Sequence, residues 1–109
     1  CHDVSDGGVV ATLSEMMLGG EADGEIGANV TFDSSLPLWK ALFSESGGFV
    51  FEVEEQNVSQ VEKIFKGHGV SMVRLGTTGG TTLAINGKIT LPIQKLKEAW
   101  TSGFRRALA

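Results

Sequence analysis

Four glycine pairs divide this chain: Gly7-Gly8, Gly19-Gly20, Gly47-Gly48 and Gly79-Gly80. Glycine reaches backbone conformations closed to other residues. Pairs of it between apolar segments therefore mark tight turns, or places where backbone closely approaches another group. Glycine makes up 15 of the 109 residues, roughly twice its average share. The pairs are dispersed and the stretches between them are apolar, so they are punctuation of a folded domain and not a flexible linker.

Between these marks the periodicity of apolar residues reads as alternating elements. Val9, Leu13, Met16 and Met17 recur at helical spacing after Gly8, and Gly19-Gly20 should end that helix. Residues 25–32 alternate through Ile26, Ala28, Val30 and Phe32, the period of a half-buried strand. A short helix is expected over 36–45, capped by Ser34 or Ser35, with Pro37 near its first turn. Gly47-Gly48 lead into a second strand over 49–54. Next, Val58, Val61, Ile64 and Phe65 make a helical stripe behind a capping-box spacing, Asn57 with Gln60 or Ser59 with Glu62. A third strand is expected over 70–76. Asn86-Gly87 sits between TTLAI and KITL and is the strongest short-range signal for a hairpin. Pro92 introduces a last helix, with Ile93, Leu96, Trp100 and Phe104 as its expected buried face. The order predicts a single α+β domain, residues 1–109. It has a mixed, largely antiparallel sheet with helices packed on it, and no internal repeat.

Charge and composition exclude whole classes of function. The net charge is −4, the apolar fraction 41% and the charged fraction 20%, ordinary values for a soluble globular domain. The nine Lys and Arg residues form no stripe, which argues against a nucleic-acid partner. Arg105-Arg106 stands where cations complement the negative end of a helix dipole. No apolar run approaches the ~20 residues that span a bilayer. One cysteine cannot form an internal disulfide, so a reducing, cytoplasmic setting is expected.

The chemistry concentrates in CHDVSDGG, residues 1–8. Asp3 and Asp6 offer hard carboxylate oxygens of the kind Mg²⁺ takes while sharing phosphate oxygens with its substrate. Ser5 lies between them. Gly7 and Gly8 leave backbone N–H groups unobstructed where a helix begins, and the helix dipole there favours an anion. Asp3, Ser5, Asp6, Gly7 and Gly8 are thus candidates for a nucleotide phosphate, with Asp3 and Asp6 as candidate magnesium ligands. A purely structural reading competes: Asp6 or Ser5 caps the helix and the glycines make the turn. Cys1 and His2 are an incomplete zinc set. His68, between two glycines, reads as an exposed turn residue.

HDVSDGG before an amphipathic helix, LFSESGGFVFEV at 42–53, GTTGGTTLAING at 76–87 and LPIQKLKEAW at 91–100 occur in one order. In this the chain resembles the carboxy-terminal domain of the aminoimidazole ribonucleotide synthetase superfamily. It is most similar to the last domain of the large subunit of the phosphoribosylformylglycinamidine synthases. Where relatives often carry a glutamine and an arginine after LFSES, this chain reads Gly47-Gly48-Phe49.

The resemblance implies ATP-dependent conversion of formylglycinamide ribonucleotide to its amidine in purine biosynthesis, with ammonia derived from glutamine. It implies ATP/ADP and Mg²⁺ as cofactors. The implied partners are the remaining domains of the large subunit, a glutaminase subunit and a small accessory subunit. On this reading Cys1 begins mid-chain: the domain is expected to be a carboxy-terminal piece of a larger enzyme, to hold part of a site shared between domains, to be inactive alone, and either to self-associate or to expose an apolar patch near the strands and the opening motif. Two alternatives stay open. The chain could belong to another ATP-dependent superfamily member, of the thiamine monophosphate kinase or selenophosphate synthetase type. Or it could be a non-catalytic domain that keeps a nucleotide structurally or docks companion subunits.

Overall fold

The computed structural model describes residues 1–19 and 26–108. In chain order it contains β1 (His2–Asp3), α1 (Gly8–Leu18), β2 (Ala28–Val30), α2 (Leu38–Phe43) and β3 (Phe49–Val50). A 3-10 turn (Glu55–Asn57) follows, then α3 (Val58–Gly67), β4 (Gly76–Thr78), β5 (Thr82–Ile85), β6 (Ile89–Pro92) and α4 (Ile93–Leu108). The strands form a four-stranded sheet, order β4-β2-β5-β6, and a separate pair β1-β3. Among the described residues only β2 and β5 run parallel, and every other pairing is antiparallel. The expected α+β class, with a mixed and largely antiparallel sheet, is what forms.

Period-two alternation decides the inner face. Ala28 and Val30 of β2 lie opposite Leu83 and Ile85 of β5, which lie opposite Leu91 and Ile89 of β6. Leu13 of α1, Leu42 of α2 and Ile93 of α4 complete the buried core. Each such side chain contributes roughly 1.5–3 kcal/mol relative to exposure. The hairpin turns where expected: Asn86 and Gly87 both have positive φ, 53° and 62°, and the Lys88 N–H donates to the Ile85 carbonyl at 3.0 Å. Pro92, without an N–H, sits on the edge strand β6, where no ladder bond is lost.

Several expectations need correction. The second strand stops at Val50; residues 51–54 continue without strand pairing. The third begins at Gly76, and 71–75 are irregular. The first strand is trimmed to Ala28–Val30, with Glu25 outside the described residues, as is Gly20 at the end of α1. Gly19 caps α1, its N–H donating to the Glu15 carbonyl at 2.9 Å. No serine caps α2: Pro37 holds that position, and the Ser34 hydroxyl instead accepts from the Leu36 N–H at 3.1 Å. Asn57 stands at the cap of α3 without a side-chain cap bond. On α4, Ile93 is buried and Leu96 half-buried, but Trp100 and Phe104 are 63% and 78% exposed. Helical spacing puts all four on one stripe; only the first turns of the helix meet the core.

Candidate functional site

The sequence places five candidate residues at the start of α1, and the fold adds one partner from far along the chain. β1 pairs antiparallel with β3, His2 opposite Val50 and Asp3 opposite Phe49. The Val4 N–H continues this ladder to the Gly48 carbonyl at 2.8 Å. HDVSDGG and SESGGF are therefore held side by side. Across this junction the Gly7 N–H donates to the Glu45 carboxylate at 3.0 Å. Sequence reasoning singled out LFSES for its resemblance but assigned Glu45 no role; only the α2–β3 connection, folding back on α1, brings it here.

The glycine pair has a structural cause. Gly7 and Gly8 both have positive φ, 85° and 74°. A Cβ on Gly8 would stand 2.6 Å from the Leu42 carbonyl oxygen and 2.9 Å from the Phe43 Cα. Helix α1 thus begins with its backbone pressed on the end of α2, a fit that only glycine allows. The Gly8 N–H donates to the Ser5 carbonyl at 3.0 Å. Both N–H groups named for phosphate are consequently engaged within the chain.

Asp6 and Ser5 do not cap the helix. The cap position is Gly7, and no side-chain cap bond forms. Asp3, Ser5 and Asp6 are exposed. Asp3 keeps its carboxylate 3.5 Å from the His2 ring. Among the described residues no set of three His, Cys, Asp or Glu converges on a metal-binding position. Mg²⁺ requires less, one or two carboxylates with the remaining ligands from water and phosphate. The exposed oxygens of Asp3, Ser5 and Asp6 suit that donor set.

Behind the loop lies a polar anchor that sequence reasoning did not identify. Thr12 is buried, and its hydroxyl donates to the Asp3 carbonyl at 3.0 Å, with the Gly8 carbonyl at 3.3 Å as alternative acceptor. A threonine one turn into a helix carries no sequence signal for this role; β1 must first fold over α1. His2 completes the anchor. Its Nδ1 lies 2.7 Å from the Asp3 carbonyl and its Nε2 2.8 Å from the Glu15 carboxylate. Both neighbours are acceptors, so the imidazolium, with two N–H groups, is the form that satisfies them. The bond to the Asp3 carbonyl foremost raises the His2 pKa above 6.5; desolvation, next in size, opposes it, and the Glu15 and Asp3 carboxylates raise it further.

Cys1 is a free, exposed cysteine, and His68 is exposed in the turn after α3. The glycine loop over 76–80 runs antiparallel along β2 and bonds to Gly27 just before it. The Gly79 N–H donates to the Gly27 carbonyl at 2.8 Å, and the Gly27 N–H to the Gly80 carbonyl at 2.9 Å.

Residues 1–86 match the family described as AIR synthase related protein, C-terminal domain. Among curated proteins the chain is 35% identical, over 98% of its length, to the phosphoribosylformylglycinamidine synthase subunit PurL of Methanothrix thermoacetophila. It is 33% identical, again over 98% of its length, to the PurL subunit of a Nocardioides species. It is 33% identical over 91% of its length to the human phosphoribosylformylglycinamidine synthase. The chain spans 14% of each of the first two proteins and 8% of the human one.

Proposed function

The chain belongs to the family of AIR synthase related protein C-terminal domains, and from that membership we propose that it serves as the carboxy-terminal domain of a phosphoribosylformylglycinamidine synthase large subunit. The whole protein then carries out an ATP-dependent carbon–nitrogen ligation in purine biosynthesis, in the cytoplasm. Its substrates are formylglycinamide ribonucleotide and ammonia. Its partners are a glutaminase subunit and a small accessory subunit. ATP supplies the phosphoryl group that activates the amide oxygen. This domain contributes binding and orientation, together with the other domains of the subunit.

The role proposed for Asp3, Ser5 and Asp6 is to hold a magnesium–nucleotide at the start of α1. The observation that carries it is Asp6 itself. The residue is exposed, does not cap the helix, and makes no ion pair or hydrogen bond among the described residues. With the Glu45 carboxylate on the Gly7 N–H and Asp6 adjoining it in sequence, negative charge at this helix start repels phosphate unless a divalent cation stands between. Gly7 and Gly8 serve the same site by shaping the loop, and the Gly7 N–H becomes available to phosphate when Glu45 turns away.

Titration of the full-length protein with ADP tests this, with and without Mg²⁺, comparing wild type with Asp6→Asn. Magnesium-dependent affinity should fall at least tenfold, about 1.4 kcal/mol, while the melting temperature stays unchanged. Equal affinity would return the motif to a purely structural role, the reading that the internal engagement of both glycine N–H groups favours.

A further inference from the structure

The Asn86-Gly87 turn combines a reactive dipeptide with an unusual restraint. Gly87 has no side chain to shield its backbone nitrogen, and a Cβ built there would meet nothing within 4 Å. The residue is exposed, and its N–H has no acceptor among the described residues. That nitrogen can attack the Asn86 Cγ and close a small imide ring. Asn29 and Asn57 are followed instead by Val30 and Val58, whose branched side chains crowd the same attack.

We propose that Asn86 is a site of spontaneous deamidation, held shut by the folded turn and released when the hairpin parts from the end of β2. The proposal is independent of the nucleotide reading. In the reaction the Gly87 N–H loses its proton to a solvent base, and the nitrogen bonds to the Asn86 Cγ. The Cγ–Nδ2 bond breaks, and the amide leaves as ammonia with a proton from solvent. Water then opens the cyclic imide at either carbonyl, leaving aspartate or isoaspartate at position 86.

The restraint lies in what the Asn86 side chain holds. Its Oδ1 accepts from the Phe32 N–H at 2.6 Å, and its Nδ2 donates to the Phe32 carbonyl at 3.1 Å. Swinging Cγ toward the Gly87 nitrogen breaks both bonds at once. The backbone cannot make the approach in its place. The Asn86 N–H is bound to the Val30 carbonyl at 2.9 Å, and the Lys88 N–H to the Ile85 carbonyl at 3.0 Å. With φ of 53° and 62° at its two central residues, the turn is fixed in the type I′ form. Attack therefore waits for the turn to separate from Val30 and Phe32.

Neither product restores the clamp. Aspartate still accepts from the Phe32 N–H, but it has no donor for the Phe32 carbonyl and sets a carboxylate oxygen against it. Isoaspartate adds a methylene to the backbone of the tight turn, directly after Ile85, which is fully buried. Each opening that reacts leaves the hairpin more loosely tied to β2, so the change runs one way and favours further opening.

The test uses the full-length protein, incubated in native buffer and in denaturing urea at one pH. Trypsin cuts after Arg74 and Lys88, and the peptide 75–88 carries Asn86 as its sole side-chain amide. Mass spectrometry of that peptide follows the conversion, and chromatography separates aspartate from isoaspartate. Native conversion should be at least about tenfold slower than conversion in urea. The slowing should match the protection of the Phe32 amide against hydrogen exchange within about threefold, because one opening exposes both. In urea Asn57 should convert at least about tenfold more slowly than Asn86. Asn86→Asp, which makes one product directly, should lower the melting temperature. Equal rates in buffer and urea, a freely exchanging Phe32 amide beside an intact Asn86, Asn57 converting as fast as Asn86 in urea, or an unchanged melting temperature would overturn the proposal.

Discussion

His2 shows how much one side chain can depend on its surroundings. It has an acceptor at each ring nitrogen, the Asp3 carbonyl and the Glu15 carboxylate. Its folded-state pKa is therefore raised above 6.5. The contribution to stability is fully present below the unfolded value and is lost as pH rises through the folded one. Titration of the His2 ring by NMR should give a midpoint above 6.5, and Glu15→Gln should lower it. A midpoint unmoved by Glu15→Gln would mean the ion pair does not form in solution. Because β1 holds Asp3, the same titration should loosen the strand that carries a candidate ligand: amide exchange at Val4 should quicken on the alkaline side. Asp3 and Asp6 could be named from the sequence because carboxylates spaced around a glycine pair are a local pattern. Thr12, Glu15 and Glu45 could not, since each acts on a residue that only folding brings near.

At the scale of elements, the β5–β6 hairpin is tied to β2 by one turn residue. Asn86 accepts from the Phe32 N–H at 2.6 Å and donates to the Phe32 carbonyl at 3.1 Å through its side chain. Its own N–H donates to the Val30 carbonyl at 2.9 Å. The side chain thus extends the β2 ladder beyond the last strand residue. Asn86→Ala removes both side-chain bonds and leaves at φ 53° a residue that lacks asparagine's tolerance of the left-handed region, and should cost about 2–4 kcal/mol. Asn86→Gly removes the bonds but keeps the backbone freedom, and should cost less. Urea denaturation of the two variants measures the difference; equal losses would show that the side-chain bonds carry little. Asn86-Gly87 was legible as a turn from its residue types, while the bond to Phe32, 54 residues away, was not.

For the molecule as a whole, the apolar surface left outside the core is the dominant fact. Trp100 and Phe104 on α4 and Phe49 on β3 are each more than 60% exposed, as is Trp39 of α2 at 63%. The radius of gyration is 15.0 Å, against about 13 Å for a compact chain of this length. Substituting Trp100→Ser and Phe104→Ser together should change unfolding free energy by no more than about 0.5 kcal/mol, as for other surface positions. The same pair should reduce self-association of the 109-residue chain in sedimentation. A large loss of stability would show instead that α4 packs along its whole apolar stripe. Among the described residues no helix is long and apolar enough to cross a membrane.

Local chemistry was enough to announce the helices, the hairpin, the glycine-bounded loops and the carboxylates at the start of α1, because each depends on residues within one or two turns of chain. Periodicity likewise identified the inward face of β2, through Ala28 and Val30. How far each strand runs is a different matter: residues 49–54 and 70–76 have strand alternation, yet a strand exists only where a neighbour supplies hydrogen bonds. The same holds for the α4 stripe, which is apolar by sequence but buried only where the core reaches it. The meeting of Gly7 with Glu45, Thr12 with Asp3, and His2 with Glu15 was decided by tertiary structure alone. Each joins groups whose separation in sequence carries no periodic signal, and only the packing of β1 and α2 against α1 sets their distance.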